Sequence, residues 1–399
     1  LLRSTEGWPA GLVLHALALR EPDGLVHSHH ELNEPDRIVA DFIRSEVLTG
    51  LPPATASFLH RTAILDVMCP SLCDAVLDST NSAEILESLL ASKLFITSVD
   101  ATGEWFRYHP LFRAVLLDDI TRSTAESLAV LHLRAARWWS DAGSVERTIE
   151  HARAGGDLSI ATRLLVTELP KAYNNGQLRT GEKWLAELGD AAIERDPTLA
   201  GLAGWLSALA GNAVEALRWA DHNEHVASNG GADDAAFVSG RAALRAFLCA
   251  RGVEQMETDA ASVVASEPVW GLWRPASLGF LAVARWLRGD DVEALALFSE
   301  SIETTTELTG FDDPQARYLA YRAVLSMDRD DWASAEADID SARSVVTAAH
   351  LSEYTVNAIV QAASARSLLH RNELEAGRAA LDEAMRLRTT VTWVNPWGA

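Results

Sequence analysis

At 399 residues and 48% hydrophobic content, the chain can bury sizeable cores and is too long for one ordinary domain, which excludes a disordered tail. Its formal charge of −22, from 34 basic and 56 acidic side chains, is spread along the sequence with no Lys/Arg-rich helix face, so no direct nucleic-acid contact by this stretch is expected. Three cysteines, Cys69, Cys73 and Cys249, give no even disulfide framework, and neither a signal peptide nor a long apolar run occurs; a cytoplasmic, membrane-free protein is expected.

The chain opens on Leu instead of Met, which reads as an internal piece of a longer protein. Residues 7–20 predict an apolar helix introduced by Gly7-Trp8-Pro9-Ala10-Gly11. A loop with Pro22, Gly24 and Pro35 leads to a second, amphipathic helix near Asp36–Leu48. Within that loop, His27-Ser28-His29-His30-Glu31 offers three imidazoles and a carboxylate. Ligands so close in sequence rarely complete a tetrahedral cage, so the segment reads as a solvated loop and no metal is assigned.

After Pro52-Pro53, helical stretches around 54–62, 71–78 and 83–92 precede two short apolar runs, Leu94–Val99 and Trp105–His109, joined by the polar turn Asp100–Glu104. Three helices and a hairpin predict a winged helix. Cys69 and Cys73, one helical turn apart, read as small core residues.

From about residue 123 the sequence repeats. Polar turns centred on 143, 176, 211, 252, 289, 330 and 371 are separated by steps of 33, 35, 41, 37, 41 and 41 residues. Several are followed by an acid and an alanine, and Ala294, Ala335 and Ala376 stand 41 apart, where small residues would let antiparallel helices approach closely. Such units resemble tetratricopeptide repeats, lengthened at connections such as Glu267–Pro275, and would stack into an α-solenoid. In that connection Trp270 and Trp273 flank a glycine beside Arg274, a grouping that suits a ligand or partner surface as well as plain loop packing. Trp138, Trp184, Trp219 and Trp286 fall at repeat core positions. The fold class is therefore mostly α, a winged-helix domain followed by a tetratricopeptide-like α-solenoid, divided as 1–50, 51–122 and 123–399.

No G-x-x-x-x-G-K-[ST] loop is present to wrap phosphates, and neither G-x-S-x-G nor H-E-x-x-H occurs. This stretch is expected to have no enzyme activity and no catalytic residue.

Several strings carry a likeness to a known family: Thr5-Glu6-Gly7-Trp8-Pro9-Ala10-Gly11-Leu12; Ala40-Asp41-Phe42 with Glu46-Val47-Leu48; Phe58-Leu59-His60-Arg61-Thr62 with Leu65-Asp66 and Leu72-Cys73-Asp74; and Arg107-Tyr108-His109-Pro110-Leu111-Phe112. Through them the chain resembles the STAND-class ATP-binding transcriptional regulators of the MalT, or large LuxR-type, family. The resemblance implies an upstream nucleotide-binding domain whose exchange of ADP for ATP releases a closed monomer for self-association, and a carboxy-terminal helix-turn-helix beyond this stretch. It implies adenine contacts for Gly7 and Pro9, a phosphate contact for His109, and a small-molecule inducer or regulatory protein on the repeats. ATP or ADP would bind the full-length protein, not this stretch tightly. Without the resemblance, Gly7-Trp8-Pro9 is a helix start and His109 an ordinary half-buried histidine. The same arm would also serve a Ser/Thr protein kinase or act as a free-standing interaction scaffold.

Overall fold

A computed structural model describes residues 40–41, 43–92, 95–121, 125–175, 177–230, 234–308 and 312–388. The predicted helix at 7–20 with Gly7 and Pro9, and the loop bearing His27, His29 and His30, lie outside the described residues. The chain divides into two compact units, residues 1–161 and 162–399.

In the first unit, the segment expected as an amphipathic α-helix up to Leu48 is wound differently. Ile43–Leu48 forms a π-helical turn, with Ile43 fully buried. Three helices follow, α1 (Pro53–Thr62), α2 (Pro70–Leu77) and α3 (Ser82–Ala91). Proline at the first position of α1 and α2 costs no hydrogen bond there and presets the helical φ. Helix α2 stops where Asp78 turns left-handed, with φ of 57°. Strands β1 (Ile96–Ser98) and β2 (Phe106–Tyr108) pair antiparallel, Ile96 opposite Tyr108, before α4 (Pro110–Thr121). Met68 adds a third rung, exchanging two 2.8 Å backbone hydrogen bonds with Phe106. Leu59, Leu65, Met68, Leu72, Val76, Leu86, Phe112 and Leu116 fill the core. The hairpin of α5 (Ala125–Asp141) and α6 (Val145–Ala154) belongs to this unit too, because Leu131, Ala135 and Trp139 enter that core and Trp139 stacks on Trp105.

The second unit is built of helical hairpins. After α7 (Ser159–Asn174), α8 (Leu178–Leu188) and the single turn α9 (Asp190–Ile193), five hairpins follow. They are α10 (Pro197–Leu209) with α11 (Ala213–Ser228), and α12 (Ala235–Leu248) with α13 (Val253–Ser266). Then come α14 (Arg274–Leu287) with α15 (Asp291–Glu307), and α16 (Asp312–Asp328) with α17 (Trp332–Ala348). The last is α18 (Thr355–His370) with α19 (Leu374–Leu387). Four tight turns repeat one device. A residue with positive φ, Gly211, Gly289, Asp330 or Asn372, ends the first helix, and the next residue starts the second. Asn212, Asp290 and Asp331 there accept a hydrogen bond from the backbone three residues on.

Five residues after the positive-φ position stand Ala216, Ala294 and Ala335, all fully buried. In the last hairpin that place is taken by Gly377, and Ala376 is exposed, which corrects the expected 41-residue alignment by one position. A Cβ on Gly377 would lie 2.9 Å from Leu369, so the smallest residue sits where the helices approach most closely. Charges pair within hairpins as well: Arg245 grips Asp259, and Arg322 binds both oxygens of Asp338 at 2.8 and 2.7 Å.

Candidate functional site

His109 sits between the end of β2 and the proline that begins α4. Its backbone N–H donates to the Phe95 carbonyl at 2.7 Å, across the hairpin, and the half-buried ring lies edge-on to Phe95. Phe95 in turn stacks on Phe112 at 4.9 Å. The Leu111 N–H donates to His109 Nδ1 at 3.3 Å. An amide can only donate, so Nδ1 is the acceptor and a neutral ring carries its hydrogen on Nε2. The sequence His-Pro-Leu produces this geometry because Pro110 has no N–H, and the first amide of α4 that reaches back belongs to Leu111.

The ground under His109 is rigid. Tyr108 is buried with its hydroxyl 2.7 Å from Thr62 Oγ1, and burial pushes the phenol well above its ordinary range. Arg113, one turn into α4, donates to the carbonyls of Ala63 at 2.8 Å and Ile64 at 3.2 Å and pairs with Asp66 at 2.5 Å. At the far end of α4, Arg44 pairs with Asp118 at 2.6 Å and Asp119 at 2.8 Å. The hairpin turn is organised by Asp100, which accepts from Thr102, Trp105 N and Glu104 N; these bonds, led by that of Thr102, hold its carboxyl down to about 2. Cys73 is fully buried and burial pushes its thiol up, so it packs as a small apolar residue.

In the second unit the structure separates Trp270, Trp273 and Arg274. Trp270 is 76% exposed at the tip of the connection between α13 and α14. Trp273 is half-buried, its ring 5.1 Å from Trp205 and so close to Gly240 that a Cβ there would lie 3.1 Å from Nε1. Arg274 Nη1 donates to the Val264 and Glu267 carbonyls, and Nη2 pairs with Glu300 at 3.3 Å. The guanidinium therefore caps the end of α13 and is not stacked beside Trp270.

A second polar grouping was not evident from the sequence. On α16, Asp313, Arg317 and Tyr321 follow one another at helical spacing, and all are buried, at 5%, 2% and 3% exposure. Arg317 Nη2 donates to Asp313 Oδ1 at 2.7 Å. Tyr173 of α7 and Tyr354 meet here, ring centres 6.0 Å apart, and the Leu178 N–H donates to Tyr354 Oη at 2.9 Å. Burial first and the Asp313 carboxylate second push the Tyr173 phenol up. Burial, opposed by Arg317, brings Tyr321 to about 12. The i, i+4, i+8 spacing of Asp313, Arg317 and Tyr321 on one helix was the available signal; that Tyr173 joins them from 140 positions upstream was not readable.

Among the described residues, no helix is long and apolar enough to cross a membrane, and no three His, Cys, Asp or Glu side chains gather as metal ligands.

Residues 44–128 match the MalT winged helix domain family. The chain is 31% identical over 211 residues to the HTH-type transcriptional regulator MalT of Yersinia enterocolitica serotype O:8 / biotype 1B. That match covers 52% of this chain and 23% of the relative, so the chain spans a minor part of that protein's length. A hairpin closing on a three-helix core and both likenesses agree: residues 44–128 are similar to the MalT winged helix, helical repeats follow, and the chain is similar to the MalT regulator over about half of its own length.

Proposed function

We propose that the chain is the signal-sensing and regulatory arm of an ATP-dependent transcriptional regulator, acting in the cytoplasm. Its repeats, tetratricopeptide-like in their hairpins, receive a small-molecule inducer or a regulatory protein and bias a switch in an upstream nucleotide-binding domain. The division is 1–50 for the end of the nucleotide-binding module, 51–122 for the winged helix and 123–399 for the sensor. The observation that carries this reading is the orientation of His109. With Nδ1 engaged by Leu111, the ring's donor is Nε2, the chemistry a phosphate oxygen requires. ATP or ADP supplies the phosphate charge in the full-length protein; this stretch alone holds neither tightly. Gly7 and Pro9 would meet the adenine.

The lack of any Lys or Arg in α3, which carries Glu84 and Glu87, favours a clamp on a protein domain over entry into a DNA groove. On the repeats, Trp270 has the exposure to meet a partner, with Trp273 and Arg274 fixing the shape of its loop. A signal that binds the open form about 5.5 kcal/mol more tightly than the closed one moves the switch from almost wholly off to almost wholly on, and self-association follows. In the full-length protein, His109→Ala should release ADP at least several-fold faster and raise basal transcription without inducer. Unaltered ADP retention, measured by filter binding with labelled nucleotide, removes His109 from the switch.

A further inference from the structure

The connection between α13 and α14 carries three apolar side chains that the repeats do not cover. Val269 is 61% exposed, Trp270 76% and Leu272 47%, and among the described residues no large apolar side chain is more exposed than Trp270. The loop is nonetheless held in one shape. The Gly271 N–H donates to the Pro268 carbonyl at 2.8 Å, and Glu267 turns back to accept from the Trp273 N–H at 3.0 Å. That carboxylate fills the space a side chain at Gly271 would need. With Trp273 packed on Trp205 and Arg274 bound to the Val264 carbonyl, the exposed stretch is anchored at its base. A fixed apolar loop loses little conformational freedom when it is covered, and tryptophan is among the side chains best able to carry such a contact.

Shape and charge select what covers it. Side chains standing this far out of the surface cannot wall a cleft that buries about 70–90% of a small ligand, so the loop suits a macromolecular surface. The charge beside it has one sign. Ser301 of α15 donates to the Pro275 carbonyl at 2.8 Å, which sets α15 next to the base of the loop, and Glu300, Glu303 and Glu307 are exposed there at helical spacing. Arg274 pairs with Glu300, but Glu303 and Glu307 have no ion pair among the described residues, and no Lys or Arg occurs from 252 to 273 or from 289 to 316. Nucleic acid, an anionic lipid surface and a second copy of this chain, itself at −22, all bring the same sign. We propose that Val269, Trp270 and Leu272 are a docking knob for a basic protein segment, whose apolar side chains receive the indole while its Lys or Arg residues meet Glu303 and Glu307. The proposal rests on the reading of the repeats as a signal receiver for the effect of docking, not for the docking itself, and it gives this loop to a protein signal instead of a small inducer.

In the test, linear random peptides of about twelve residues, displayed on phage, are selected on the full chain after depletion on Trp270→Ala, then synthesised and titrated by fluorescence anisotropy. The expected peptides carry net positive charge around one or more apolar residues. Their affinity falls at least about tenfold in Trp270→Ala, recovers in part in Trp270→Phe, and falls about three- to tenfold in the double variant Glu303→Gln, Glu307→Gln. All three variants should unfold thermally at the midpoint of the parent chain, because the side chains changed are exposed. The proposal is overturned if no peptide distinguishes the parent from Trp270→Ala, if those that do are neutral or acidic, or if the double variant binds them as the parent does. Peptides that bind as expected while nucleotide exchange in the full-length protein ignores them uphold the knob and count against the receiver reading instead.

Discussion

Thr62 and Tyr108 show how unequal the two ends of one buried hydrogen bond are. Thr62 Oγ1 also reaches the Phe58 carbonyl at 2.7 Å, so it keeps a partner if Tyr108 is lost. Tyr108 Oη depends on Thr62. Thr62→Val should therefore destabilise the winged helix by about 1–3 kcal/mol, and Tyr108→Phe by about 1 kcal/mol or less, measured by urea unfolding. If the two variants are equally costly, the bond is not organised in this way. The sequence announced Arg107-Tyr108-His109-Pro110 as a unit, and it marked His109 through a family resemblance. It did not show that Leu111 orients the ring, because that bond depends on where α4 begins. Trp273 and Arg274 were legible only as residue types. Their neighbour relations, with Trp205 and with the Val264 carbonyl, come from helices that fold back from elsewhere in the chain.

Turns were the most readable elements, because a left-handed position and a helix start leave chemical marks. Gly, Asp or Asn fills the first and Asn, Asp or Glu the second in the four tight turns that repeat this device. The small-residue position was less readable: counting 41 residues from Ala335 lands on Ala376, whereas counting five from the left-handed Asn372 lands on Gly377. The wound segment at 43–48 was also missed, since a π-turn carries the same apolar spacing as a short α-helix. From the observed caps, Asp290→Ala and Asp331→Ala should each cost about 1 kcal/mol. Gly279→Ala should cost more, about 2–3 kcal/mol, because its Cβ would sit 2.0 Å from the Tyr318 ring, and Tyr318 is pinned by its bond to the Ala276 carbonyl at 2.9 Å. Thermal unfolding of the three variants side by side checks the ranking.

Across the whole molecule, the two units should answer acid differently. In the first, His132 Nδ1 and His151 Nδ1 are 2.9 Å apart, so one must donate and the other accept, and the accepting ring is neutral. Burial, then the neighbouring His132 and Arg147, lowers His151 to about 4; burial and Arg113 lower His132. Asp66 pulls His151 the other way and does not prevail. A histidine held below its ordinary value of 6.5 stabilises the fold fully above that pH, and the contribution is lost as pH falls from about 6.5 toward 4. The loss is of order 3 kcal/mol at the lower limit, and His151→Gln should flatten this part of the pH–stability curve. A slope unchanged in that variant would assign the acid sensitivity to the carboxylates.

The hydrogen bond from Leu178 N to Tyr354 Oη has a consequence for cooperativity. An ordinary stack of repeats behaves as a one-dimensional array, in which each unit feels only its neighbours and the ends fray first. A contact spanning 176 residues of sequence ties an early helix to the threshold of the last hairpin, so the array acquires the boundary condition of a loop. Fraying at one end then removes support from the other, and the intervening hairpins gain or lose order as one block. Disturbance at α8 is in this way felt at α18 with no chain of deformations through the four hairpins between them.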